Sequence, residues 1–131
     1  MPFVRISLHK ELNEKVKNQI SLCVHQALMQ KFLIPENDYF HIIEELDANQ
    51  IKYPKEYLGI RHTDRIVFLQ IIAGSGRTEN QKRELYAEIG KSISATTEIS
   101  INDIIIILIE SDSYYNWSFG MGKIQKLTHI K

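Results

Sequence analysis

The chain has a single cysteine, Cys23, in 131 residues. An internal disulfide is excluded, so stability has to come from a packed core. Cys23 falls on the apolar stripe of a helical segment, which marks it as buried filler rather than a nucleophile. An excess of one charge is also missing. Sixteen basic side chains balance sixteen acidic ones, so no net field draws the protein to nucleic acid or an anionic membrane. The longest apolar run, IIIILI at Ile104 to Ile109, is far too short to span a bilayer. No secretory leader is visible, because FVRISL gives way at once to the polar HKELNEK; the cytosol is the expected location. The histidines His9, His25, His41, His62 and His129 lack metal-ligand spacing, and one cysteine cannot complete a site. No metal and no cofactor are expected. The few glycines of AGSGRTENQK do not have the spacing of a nucleotide-phosphate loop.

What remains is a chain of single-domain length, residues 1–131, large enough to bury a core. It repeats itself at a shift of 65 positions. LIPENDYFHIIEELD (Leu33 to Asp47) falls on EISINDIIIILIESD (Glu98 to Asp112), so that Asp38 meets Asp103. Ile20, Val24 and Leu28 fall on Leu85, Ile89 and Ile93. The two units cover about 2–60 and 61–131, and each reads strand, helix, strand. The first predicts strands over Phe3 to Leu8 and Tyr39 to Glu45. Between them Leu12, Val16, Ile20, Cys23, Val24, Ala27 and Leu28 recur at helical steps. The second predicts a strand over Arg65 to Ala73, a helix over Glu79 to Ala95 and a strand over Ile104 to Glu110, with Thr78 and Gln81 as a capping box. The expected fold is α/β (α+β): two tandem β-α-β units forming one four-stranded sheet with two helices on one face. IVFLQII and IIIILIE put apolar side chains on both faces of that sheet. The face without helices calls for a cover, either another copy of the chain or the segment Asp47 to Gly59 with the C-terminal tail.

Three stretches and one terminal residue can carry chemistry. Pro2 suits the first residue of a strand, having no N–H to give. An initiator methionine before a small residue is usually removed, and Pro2 would then offer a secondary amine able to act as base, acid or nucleophile. In AGSGRTENQK, Arg77 lies just ahead of a helix start, where it can grip a carboxylate through two parallel hydrogen bonds or simply be solvated. In PENDYF, Asp38 can accept a proton or orient a water, although its repeat in Asp103 also fits a turn-bonding role for both. In NWSFGMGKIQ, Trp117 and Phe119 alternate on an extended segment and can wall a small apolar pocket or plug a gap in the core.

Taken together, MPFVRIS, PENDYF, LGIRHTDRIVFLQI, GRTENQKRELY and NWSFGMG resemble the tautomerase superfamily in their order and spacing. The resemblance covers nearly the whole chain and points to the malonate semialdehyde decarboxylase-like branch. It implies a homotrimer and a catalytic N-terminal proline, here Pro2. It carries the pocket aspartate to Asp38, the substrate-binding arginine to Arg77 and the pocket aromatics to Trp117 and Phe119. The branch's decarboxylases have two arginines before the second helix; the first of those substrate-contacting positions falls on Ser75 here. The implied activity is a cofactor-independent keto–enol tautomerase of small 2-keto acids, with neutral Pro2 as general base. The alternatives are a decarboxylase or hydratase with protonated Pro2 as acid, or a non-catalytic trimeric scaffold. The expected partners are a small carboxylate and further copies of the chain, with no nucleic acid and no membrane.

Overall fold

In a computed structural model, residues 1–126 are described; His129 and the end of the second unit lie outside them. The chain runs β1 (Phe3–His9), α1 (Glu14–Lys31), β2 (Phe40–Leu46), β3 (Glu56–Tyr57), β4 (Ile60–Arg61), β5 (Val67–Gly74), α2 (Glu79–Thr96) and β6 (Ile104–Ser111). Glu14–Lys31 and Glu79–Thr96 are the same span displaced by the 65-residue repeat. The main sheet has the order β2-β1-β5-β6. Within each repeat the strands are parallel, β1 with β2 and β5 with β6, and the repeats join antiparallel through β1 and β5.

Alternation builds the core. Val4, Ile6 and Leu8 of β1, with Val67, Leu69 and Ile71 of β5, point to the helices and are buried. Ile20, Val24 and Leu28 of α1 meet Leu85, Ile89 and Ile93 of α2 over them. Each such side chain contributes about 1.5–3 kcal/mol by leaving water. Asn13 caps α1 by accepting the Val16 N–H at 2.9 Å. Thr78 and Gln81 form the expected capping box on α2, with reciprocal bonds of 3.1 and 2.9 Å. α1 ends at Phe32, whose N–H reaches Leu28 O at 2.9 Å; Leu33 then turns left-handed (φ 57) ahead of Pro35.

Two strands begin later than the hydrophobic pattern suggests, and both shifts have a hydrogen-bonded turn as cause. The Asp38 N–H closes on Pro35 O at 3.1 Å, so β2 starts at Phe40 rather than Tyr39. The Ile66 N–H closes on Thr63 O at 3.1 Å, so β5 starts at Val67 rather than Arg65. The small β3–β4 hairpin is not foreshadowed at all. Its turn, Leu58-Gly59, has positive φ at both residues (54 and 79); leucine is an unusual first residue there, where asparagine or aspartate normally signals the turn.

Both helices lie on one face of the sheet. Register defines three rows across the other: Phe40, Phe3, Ile72 and Ile109; Ile42, Arg5, Gln70 and Ile107; Glu44, Ser7, Phe68 and Ile105. The first row is wholly apolar and lies at the sheet end where β1 begins and β5 ends.

Candidate active site

That end of the sheet gathers the residues singled out by sequence. Pro2 is buried immediately before β1. Met1 precedes it, also buried, and its ammonium is paired and hydrogen-bonded to the Asp38 carboxylate. The topology explains the meeting. β2 is parallel to β1, so the turn leading into β2 lies beside the residues leading into β1. β5 is antiparallel to β1 and delivers its C-terminal end to the same place, carrying Gly74 and, beyond it, Ser75 and Arg77.

Arg77 is half-buried and tightly held. Its Nη1 donates to Gly74 O at 3.0 Å and its Nη2 to Phe32 O at 3.2 Å. Its guanidinium carbon lies 4.6 Å from the centroid of the Phe32 ring. A Cβ added at Gly74 would come 3.2 Å from Met1 Cε, a tight approach to a flexible side chain, and 3.8 Å from Arg77 Nη1, an ordinary contact. Ser75 is exposed; its N–H donates to Ser111 O at 2.8 Å and fixes the turn to the end of β6.

The segment after β6 returns over this end. A single turn, Tyr114–Asn116, is capped by the Ser113 hydroxyl and leads into Trp117. The indole N–H of Trp117 donates to Ser111 Oγ at 3.0 Å. Its ring stacks on Phe119 with centroids 5.5 Å apart and planes within 7°. Phe119 in turn packs on Phe40 at 5.6 Å. The aromatics thus run from the β6 edge to the β2 edge, across the row that contains Phe3.

Electrostatics differ from open water here. Burial pushes the Met1 ammonium below its ordinary value; Asp38 opposes the shift and Arg77 adds to it. Burial also lowers the Arg77 guanidinium, with Glu110 and Asp38 acting the other way. Amine, carboxylate and guanidinium therefore feel one another. An amine so placed can exchange a proton, and the guanidinium can hold an anion. Among the described residues no group of three or more His, Cys, Asp or Glu side chains could hold a metal.

The six predicted residues, Pro2, Asp38, Ser75, Arg77, Trp117 and Phe119, all come to this one end of the sheet. Sequence reasoning missed Phe32 and Phe40. Phe40 had a signal in PENDYF, as an aromatic two residues after Asp38. Phe32 had none beyond its place before Pro35. The paired aspartates also separate. Asp103 is 2% exposed and accepts from the Thr63 N–H at 2.8 Å and from its hydroxyl, tying down the turn before β5. Asp38 stands at the equivalent place in the first repeat, where the chain starts and an amine takes the place of that turn.

A family model described as a tautomerase enzyme matches residues 38–120, which include Asp38, Arg77, Trp117 and Phe119. The chain belongs to the tautomerase family. It is similar to the probable tautomerase YusQ of Bacillus subtilis strain 168, at 30% identity over 97% of this chain and 99% of that one. The probable tautomerase YrdN of the same organism is 27% identical over 98% of both chains. Among solved structures, the FG41 malonate semialdehyde decarboxylase inhibited by 3-bromopropiolate superposes with a TM-score of 0.87. It is 28% identical, over 94% of this chain and 92% of that one. The fold is that of the tautomerases, and the chain is an isomerase of that family. Among the described residues no helix is long and apolar enough to cross a membrane.

Proposed function

We propose that the chain is a cofactor-independent tautomerase of small 2-keto or enol carboxylic acids, with the nitrogen of Pro2 as general base after removal of Met1. One observation carries this reading: the first amine of the chain is buried and paired with Asp38, with Arg77 near enough to lower it, at the sheet end that Trp117 and Phe119 also reach. A 2-keto acid and its enol differ by one proton moved between carbon and oxygen. The base that moves it has to be partly unprotonated near neutral pH. A free α-amine has a pKa of about 8, and a prolyl amine starts higher. Burial and Arg77 lower such an amine, as they lower that of Met1. Removing Met1 moves the terminal amine to Pro2 and clears the side chain that crowds Gly74. Arg77 then anchors the substrate carboxylate, and Trp117 and Phe119 exclude water and bear on the carbon chain.

The test is Pro2→Ala, with mass spectrometry confirming that both chains have lost Met1. Ketonisation of phenylpyruvate enol is expected to fall by at least about 10²-fold, the usual contribution of a positioned base. Undiminished turnover, or a parent chain that works with Met1 retained, overturns the assignment.

A second reading has its own support. Asp38 stabilises the ammonium, and a protonated Pro2 would polarise a carbonyl as an acid, in the manner of a decarboxylase or hydratase. Likeness to the malonate semialdehyde decarboxylase favours it, while Ser75 at the first arginine position weakens the grip that such a substrate needs. Titration of the prolyl nitrogen by NMR separates the two readings: a value near or below neutrality supports the base, a high one the acid.

A further inference from the structure

We infer that Phe32 is a positioning residue for Arg77, and that it fixes the selectivity of the site for a carboxylate over its neutral ester. The inference rests on the reading of Arg77 as the carboxylate anchor and adds to it a residue from the other repeat. Phe32 is only 5% exposed and stands at the C-cap of α1. It holds Arg77 twice. Its carbonyl accepts Nη2 at 3.2 Å, and its ring lies under the guanidinium at 4.6 Å. A helix C-terminus leaves carbonyls without intrahelical partners and carries partial negative charge, so it favours a cation. The ring face does the same through its quadrupole.

The consequence concerns direction. A guanidinium has five N–H donors in a rigid plane. One donor on Nη1 goes to Gly74 O and one on Nη2 to Phe32 O, which fixes the rotation of that plane. The remaining donors are then presented in one orientation. Without the ring beneath it, the half-buried arginine keeps its charge and can still reach both carbonyls, but the plane is free to tilt. Binding of a planar carboxylate loses the benefit of a prearranged partner, whereas a neutral ester, which makes no use of the fork, does not. Phe32 therefore affects affinity for the anion without touching the reacting atoms.

The experiment compares Phe32→Leu and Phe32→Tyr with the parent. In Phe32→Leu, KM for phenylpyruvate is expected to rise about 5- to 10-fold with kcat within about twofold, the scale of a lost cation–π contact. Turnover of its methyl ester should hold, so the acid-to-ester preference narrows by the same factor. Phe32→Tyr, which keeps the ring, should match the parent. Binding of phenylacetate, an unreactive carboxylate, is measured by calorimetry and should weaken in Phe32→Leu by a similar factor. The Arg77 Nε–H resonance should show faster rotation of the guanidinium. These last two readings need no turnover, so they test the positioning role even if Pro2 proves not to be the base. Parent-like phenylacetate binding and guanidinium dynamics in Phe32→Leu overturn the inference. So does an equal loss for acid and ester, a fall in kcat alone, or a Phe32→Tyr protein that behaves like Phe32→Leu. Should Phe32→Leu not fold, Phe32→Met, which keeps the volume without the ring, replaces it in the same measurements.

Discussion

Arg77 shows how little of a site is one side chain. Its charge was legible as an arginine before a helix start, but its hold comes from the carbonyls of Gly74 and Phe32, which belong to different repeats. The prediction for Arg77→Ala is a KM for phenylpyruvate raised about 30-fold, equivalent to about 2 kcal/mol for a lost charged hydrogen-bond pair. Arg77→Lys should restore little of it, since a point charge cannot keep two carbonyls and still present a fork to a carboxylate. Steady-state kinetics check both, and an unaltered KM removes Arg77 from the site. The aspartates teach a related lesson. Their equivalence at Asp38 and Asp103 was visible in the sequence, and it argued for one shared turn-bonding role. The structure keeps that role for Asp103. At Asp38 the preceding segment is the chain terminus, so the same placement faces an ammonium. Pattern showed the correspondence; only the third dimension shows what each carboxylate meets.

Helices and inner strands were legible because a 3.6-residue and a two-residue period map directly onto burial. The 65-residue shift then fixed both helices at once. What stayed hidden was contact between elements, and β2 gives a case with a measurable effect. His41 points to α1, where its Nδ1 shares a hydrogen bond of 2.8 Å with Ser21 Oγ. His25 of α1 lies with its ring 6.2 Å away and Tyr39 packs at 6.3 Å. Burial, helped by His25, lowers the His41 pKa from 6.5 to about 4. Its Nε2 is buried with no hydrogen-bond partner among the described residues, which also favours the neutral ring. The unfolded chain therefore binds a proton at His41 that the folded chain refuses between about pH 6.5 and pH 4. Stability is complete above that window and falls as the pH drops through it. The full shift would be worth about 3 kcal/mol at 1.36 kcal/mol per unit, and partial exposure reduces it to about 1–2 kcal/mol by pH 4.5. Urea unfolding at pH 7 and pH 4.5 should show a smaller loss for His41→Gln than for the parent, by that amount. An identical loss would place the acid sensitivity elsewhere.

At the scale of the molecule, the decisive feature is the sheet face that carries no helix. Ile107 and Ile109 on the β6 edge are 48% and 40% exposed, and Phe40 and Ile42 on the β2 edge are 48% and 41% exposed. Among the described residues, the segment after β6 covers one corner, where Phe119 meets Phe40, and Ile107 and Ile109 of β6 stay exposed. A sheet that is apolar on both faces normally has both covered. The polar part of the face is arranged to survive burial: Glu44 accepts the Ser7 hydroxyl at 2.7 Å and lies 3.6 Å from Arg5 Nη1. We therefore propose that three copies associate through this face, as the sequence resemblance implies, placing the sites at the rim of the assembly where β1 begins. Ile107 lies in the row of Ile42, Arg5 and Gln70, two residues from the all-apolar row and away from Pro2 and Arg77. In Ile107→Glu a charged carboxylate would replace an apolar side chain at the interface, at a cost on the order of several kcal/mol per copy. The helix-covered core is untouched by that change. The expected result in analytical ultracentrifugation is a trimer for the parent and a folded, helical monomer for the variant. A parent that sediments as a monomer, or an Ile107→Glu protein that still sediments as a trimer, shows that this face is not the one that joins the copies.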